Sequence, residues 1–320
     1  MANLIYTDDK YSDVGYLSGF SLDCENGDEN SFDLEMSLSK AAMLSPGCLI
    51  YSEADSEFGG IVTKRFVNTD SKKIVFKGHT WRGILSTKIV VPPVGEAFRK
   101  YENKSTSYIM NDILQLTGLN ELFIAADTSN SMTYTFHRFT DVLSGFVHML
   151  RTLMLKMRCV YDNISQKVVI SAQETKDHSS DDFSSHHFGF SVQKDDFPVN
   201  HLMGLGRGEL LEREIYSLYL QEDGSIAETQ HYTGFEENAA TYEYVNYETT
   251  DEFHTAVRKR LIELQNSTSL EISLRDMSVD IGDTVSGTEE ITGITVTKSI
   301  RSKILKMTDT EYAIDYRTGD

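Results

Sequence analysis

Two stretches of this chain, over two hundred residues apart, follow one pattern of glycines, β-branched residues and lysine. Residues 46–78 read PGCLIYSEADSEFGGIVTKRFVNTDSKKIVFKG, and residues 280–303 read DIGDTVSGTEEITGITVTKSIRSK. Each has a glycine, Gly47 or Gly282, ahead of a short apolar or β-branched run. Each continues with an acidic turn, 53–57 or Glu289-Glu290. A second glycine, Gly60 or Gly293, then opens a β-branched strand ending in Lys64 or Lys298. A last strand into glycine closes both units, KKIVFKG and YAIDYRTG. Glycine ahead of a strand permits a bulge or a tight corner, which a small closed barrel needs. The pattern predicts two similar β-barrels in one chain; chance is the competing account, because such runs are common in any strand-rich protein.

The chain is long enough for this. Its 320 residues allow two or three domains with cores of their own, and 40% hydrophobic content makes it globular. The 49 acidic against 30 basic residues, a net charge of −19, argue against a protein whose main work is gripping nucleic acid. They suit a channel past which nucleic acid slides without adhering. MANLIYTDDK carries no secretory pattern, and no apolar run is long enough for a membrane helix, so no membrane anchor is expected. Cys24, Cys48 and Cys159 form no CxxC and no disulfide framework, which fits synthesis in a reducing cytoplasm.

Periodicity divides the chain coarsely. Residues 16–91 read as strands: SFDLEMSL alternates, and 60–68 with 73–77 make a hairpin turned by 68–71. GHTWRG reads as a bent strand, and Pro92-Pro93 as a boundary. Ser105 or Ser107 caps a helix with Ile109, Ile113 and Leu116 on one side and Gly118 as its stop. A second helix starts at Asp141, with Val142, Phe146, Leu150, Leu153 and Met157 in one stripe. A hairpin turns at Asp162-Asn163, an acidic loop covers 173–196, and strands resume over 198–236. A third helix over 251–265 buries Phe253, Val257, Leu261 and Leu264, and strands return from 270 to 316.

Few residues suggest chemistry. His178, Asp181, Asp182, His186 and His187 in DHSSDDFSSHH are the densest set of possible metal ligands, but their spacing matches no site, and an acidic loop is the reading. Gly204, Gly206 and Gly208 lack the order of a phosphate loop and read as a strand in close backbone contact. Cys159 has no base beside it, and His137 and His148 read as packed. No catalytic, metal or cofactor site is expected. Arg258, Lys259 and Arg260 read as a solvated helix face that can pair with a neighbouring subunit. Trp81, the only tryptophan, either anchors an interface or fills the first barrel; packing is the reading for Trp81, and an interface role the reading for Arg82.

YSEADSEFGGIVTKRFVNTDSKKIVFKGHTWRGILSTKIVVPP resembles the N-terminal signature of phage tail-hub (baseplate hub) proteins from phages of Gram-positive bacteria, above all at Gly78, Thr80, Trp81, Arg82 and Gly83. DIGDTVSGTEEITGITVTKSIRSKILKMTDTEYAIDYRTG resembles the closing signature of that family, while the middle matches only in its order of elements. The resemblance implies a β-dominated α+β protein: a first barrel over 1–95, a mixed α/β insert over 96–197, and a second barrel from 198–235 plus 270–320. A helical segment over 236–269 is then expected to pack with the insert. It further implies that Gly60, Gly78, Gly83, Gly282 and Gly293 shape the barrels, and that three chains form a pseudo-sixfold ring. As implied partners come the tail tube or distal tail protein, the tape measure protein, and a spike, fibre or lysin-bearing tip protein, with DNA only in transit. The expected place is the tip of a phage tail or phage-tail-like particle, contractile or not, assembled in the host cytoplasm. Two rivals stand beside this non-enzymatic hub: a tail-borne cell-wall or polysaccharide hydrolase, and a carbohydrate-binding module suggested by sixteen tyrosines.

Overall fold

The computed structural model describes residues 3–179, 189–193, 197–265, 269–273, 279–288 and 295–319. The chain forms two compact units, Met1–Ser191 with Leu270–Asp320, and Val192–Ser269. The second is therefore an insertion into the first.

The larger unit opens with β1 (Leu4–Thr7), β2 (Asp13–Tyr16), β3 (Phe20–Asn26), β4 (Ser31–Ser37), β5 (Leu49–Ser52), β6 (Gly59–Asn68) and β7 (Lys73–Thr80). There follow α1 (Trp81–Ser86), β8 (Lys100–Lys104), α2 (Thr106–Thr117), β9 (Phe123–Ala125), β10 (Met132–Thr135), α3 (Val142–Arg151), β11 (Leu155–Asp162), β12 (Lys167–Glu174), β13 (Asp177–His178) and β14 (Gly189–Gln193). The smaller unit holds β15 (His201–Leu205), β16 (Ile215–Leu220), β17 (Ile226–Ala227), β18 (Ala239–Glu243) and α4 (Thr250–Gln265). The chain then returns with β19 (Ser269–Ser273), β20 (Thr284–Thr288), β21 (Thr295–Thr308) and β22 (Tyr312–Gly319).

One long sheet runs β14-β19-β22-β21-β3-β4-β7-β6-β5-β1-β2, with β20 on β21 and β13 on β20. Alternation builds its core: Leu22, Cys24, Phe32, Leu34, Met36, Ile74, Phe76, Leu305 and Met307 meet on one face, while Asp23, Asp33 and Lys77 point away. The protein is thus β-dominated α+β as expected, but none of the described sheets closes into a barrel. The two repeated stretches do not form separate domains either. They share this sheet, because β21 pairs with β3.

Between the repeats, α1, α2 and α3 pack with the three-stranded sheet β11-β12-β9 around Trp81, Ile113, Leu114, Phe146, Val168 and Ile170. Leu49 and Tyr51 of β5 join the same core, so packing continues across Pro92-Pro93. Ser105 Oγ accepts from Tyr108 N–H (3.1 Å) to start α2, and Gly118 ends it with φ +74°. Leu116 is exposed, because the buried stripe runs through Ile109, Met110, Ile113 and Leu114. Asp141 caps α3 (2.9 Å to Ser144 N–H), but the helix stops at Arg151. Met157 reaches the core from β11 instead. GHTWRG is not a bent strand: Thr80 Oγ1 accepts from Gly83 N–H (3.4 Å), and Trp81 begins α1.

In the smaller unit β15 pairs antiparallel with β16 and parallel with β18. Here α4 lays Phe253, Val257 and Leu261 on Leu202 and Leu218. Gly204 admits Val257, since a Cβ there would lie 2.4 Å from its Cγ2. The strands after residue 200 therefore find their cover in α4 rather than in the strands after 270. The helix expected beside the insert serves this sheet for the same reason: its apolar stripe is buried there. No described helix is long and apolar enough to cross a membrane.

Candidate assembly interface

Strands β3 to β7 and the set β14, β19 to β22 pair in the same pattern. In each, the first strand lies on the second, the second on the fifth, the fifth on the fourth and the fourth on the third. The correspondence holds at single hydrogen bonds. Gly47 N–H donates to Val62 O (2.8 Å) and Val62 N–H to Cys48 O (2.9 Å); Gly282 N–H donates to Ile300 O (2.9 Å) and Ile300 N–H to Asp283 O (2.7 Å). Gly47 and Gly282 have φ of +98° and +96°, a region where a Cβ is strained. Both fourth strands slip register at one place, between Val62 and Lys64 and between Ile300 and Ser302, so Thr63 and Arg301 are matching bulge residues. The residue opposite the third strand where Gly60 stands is then Lys298. Gly293, matched to Gly60 by sequence, lies outside the described residues.

The repeats join head to tail. The outer half of β21 pairs with β3, from Lys303↔Asn26 to Thr308↔Ser21. Matching positions on β6 are open: beyond Val62, β6 pairs with β7 alone among the described residues. Burial records the difference. Ile304 and Leu305 of β21 are 6% and 0% exposed, whereas Phe66 and Val67, their counterparts on β6, are 61% and 45% exposed. An unpaired edge with apolar side chains is a template for another strand. One end of the sheet order is β14, the first strand of the second repeat.

The internal joint is further tied by buried charge. Lys303 Nζ lies 2.6 Å from Glu57 and 2.8 Å from Asp280. Arg158 of β11 reaches Glu57 (3.0 Å) and Asp55 (3.3 Å), and Lys156 reaches Asp283 (2.7 Å). The knot thus connects the β5–β6 turn, the second repeat and the insert sheet. Burial opposes the Lys303 charge, but Glu57 and Asp280 outweigh it and hold its pKa up at about 12. Burial likewise opposes the Asp280 charge, and Lys303 outweighs it, holding the carboxyl below its ordinary value. On the open face of the sheet, Lys73 pairs with Glu35, Lys77 with Asp33 and Lys306 with Asp315. That face carries both signs, rather than the acidic surface that net charge alone suggests.

No protein-family model and no curated protein matches the sequence. Solved structures do. The 43 kDa tail protein of prophage MuSo2 from Shewanella oneidensis aligns over 100% of this chain and 98% of its own, with TM-score 0.57 at 10% identity. The tail protein from Neisseria meningitidis MC58 aligns over 100% and 96%, with TM-score 0.53 at 11% identity. The chain has the fold of these tail proteins.

Within the tail-protein fold, the residues singled out by sequence fall in several places. Trp81 is fully buried: its Nε1 donates to Ser56 O (2.9 Å), and its ring stacks on Tyr161 at 5.4 Å. Arg82 is also inside, 6% exposed, with Nη1 donating to Met157 O (2.9 Å). Arg258, Lys259 and Arg260 are exposed on α4, where Arg260 pairs with Glu263 at 3.1 Å. A Cβ on Gly60, Gly78 or Gly83 would meet a backbone oxygen at 2.0–2.1 Å, so each marks a close chain crossing. His178 lies in β13; Asp181, Asp182, His186 and His187 lie outside the described residues, among which no metal-ligating cluster occurs. The charged knot went unread in the sequence, because its partners stand up to 246 positions apart.

Proposed function

We propose that the protein is a structural, non-enzymatic component of a phage tail or phage-tail-like particle: the hub at its tip, working as a homotrimeric ring. The observation that carries this reading is the open edge on β6, set against the buried counterpart on β21. A joint of the β21–β3 kind, made between β6 of one copy and β14 of the next, is a heterologous contact, and such contacts close into rings when their rotation allows. Three copies then present six equivalent repeats, a match for a sixfold tail tube. The inserted unit, present once per two repeats, supplies a threefold pattern for a spike, fibre or lysin-bearing protein.

The tail tube or distal tail protein and the tape measure protein are the remaining partners in this reading. On the open sheet face Lys73, Lys77 and Lys306 are each paired with a carboxylate, which lowers the hold of that face on phosphates and supports passage of DNA without adhesion. Light scattering after gel filtration, with negative-stain micrographs, tests it. The expected result is a trimer with a threefold annulus that becomes monomeric on Phe66→Lys; a monomer at every concentration, with no ring, overturns the proposal.

A further inference from the structure

The outward face of α3 and the bulge of β21 border a groove of about 680 Å³, a size at which pockets take up ligands. Leu143, Val147 and Leu155 supply apolar lining; Arg82, Arg151 and Arg301 supply charge. Arg301 is paired with Asp28. Arg82 and Arg151 have no carboxylate partner among the described residues. Arg82 is 6% exposed and held by its bond to Met157 O, whereas Arg151 is exposed at the groove. Arg82 adds fixed positive charge beneath the groove, and the exposed Arg151 guanidinium is free to take acceptor oxygens from a ligand. The local charge also runs against the rest of a chain with 49 acidic and 30 basic residues.

We infer that this groove binds a peptide segment of another protein, one in which adjacent apolar side chains are flanked by carboxylates. The apolar lining takes the first and Arg151 takes the second. A nucleic acid fits less well, because a phosphate chain has no use for Leu143, Val147 and Leu155, and Asp28 repels it. The inference rests on the groove alone and stands whether or not the chain forms a ring.

A random-peptide display selection on the intact protein tests it, with counter-selection against Arg151→Glu and Val147→Asp. Enriched peptides are expected to carry apolar pairs flanked by Asp or Glu. The best of them, made synthetically and labelled, is expected to bind the wild type saturably and to weaken about tenfold with Arg151→Glu, with unchanged circular dichroism. Added salt is expected to weaken it further. Three outcomes overturn the inference: no peptide enriched over the variants, binding that ignores both substitutions, or an oligodeoxythymidine bound in an Arg151-dependent way.

Discussion

Lys303 and Arg65 occupy matching places on the fourth strands of the two repeats and live in opposite surroundings. Lys303 is buried between two carboxylates, whereas Arg65 is exposed on an open edge. Removing one partner of a buried pair leaves the other charge stranded, so Lys303→Met is expected to destabilise the fold by about 3–5 kcal/mol in denaturant titrations. The control Lys73→Met, which breaks an exposed pair, is expected to cost under about 1 kcal/mol. A larger loss in the control would reverse that ranking. The same knot sets the acid response. Asp280 is held below its ordinary 3.8, so its stabilisation is complete above that pH and is lost as pH falls through the lower folded value. Lys303, raised to about 12, loses its charge only as pH climbs through that value. Melting temperature is therefore expected to fall below about pH 4 in the wild type, and to fall less steeply in Lys303→Met, where Asp280 has lost its partner.

Among the elements, local signals carried the reading where the cause was local. Ser105, Asp141 and Gly118 bound their helices as caps and stop, and Ser105→Ala is expected to cost about 1 kcal/mol in thermal unfolding. Signals failed where the chain turned early. Met154 takes φ +56° and ends the α3 stripe before Met157, and the Thr80 cap turns a strand-like GHTWRG into α1. The repeat was legible as a pattern but not in register. Matching Gly60 with Gly293 rests on composition, whereas backbone bonds match Val62 with Ile300, because the hairpin of the third and fourth strands is longer in the second repeat. The knot was not legible, since no spacing rule brings Glu57 to Lys303. For β6, Phe66→Lys is expected to alter the oligomeric state while leaving the far-ultraviolet circular dichroism of the subunit unchanged, because the side chain lies outside the cores of its own chain.

Over the whole molecule, the smaller unit occupies the place of a turn. In the first repeat β3 and β4 are joined by Gly27-Asp28-Glu29-Asn30, closed by mutual bonds between Gly27 and Asn30. In the second, the matching strands β14 and β19 are joined by the inserted unit, with its own core. Replacing residues 194–268 by Gly-Asp-Glu-Asn is therefore expected to yield a soluble chain with a single cooperative unfolding transition. Loss of that transition would show that the larger sheet depends on the insert.

The contact between β21 and β3 has a consequence of its own. A seam with distinct sides gives every added copy the same heading, so the number completing a circle is fixed by the turn at each seam and not by how tightly it holds. In the proposed ring, a change at Thr63 or Arg301 that opened that turn is expected to yield a spiral of intact subunits rather than a looser circle.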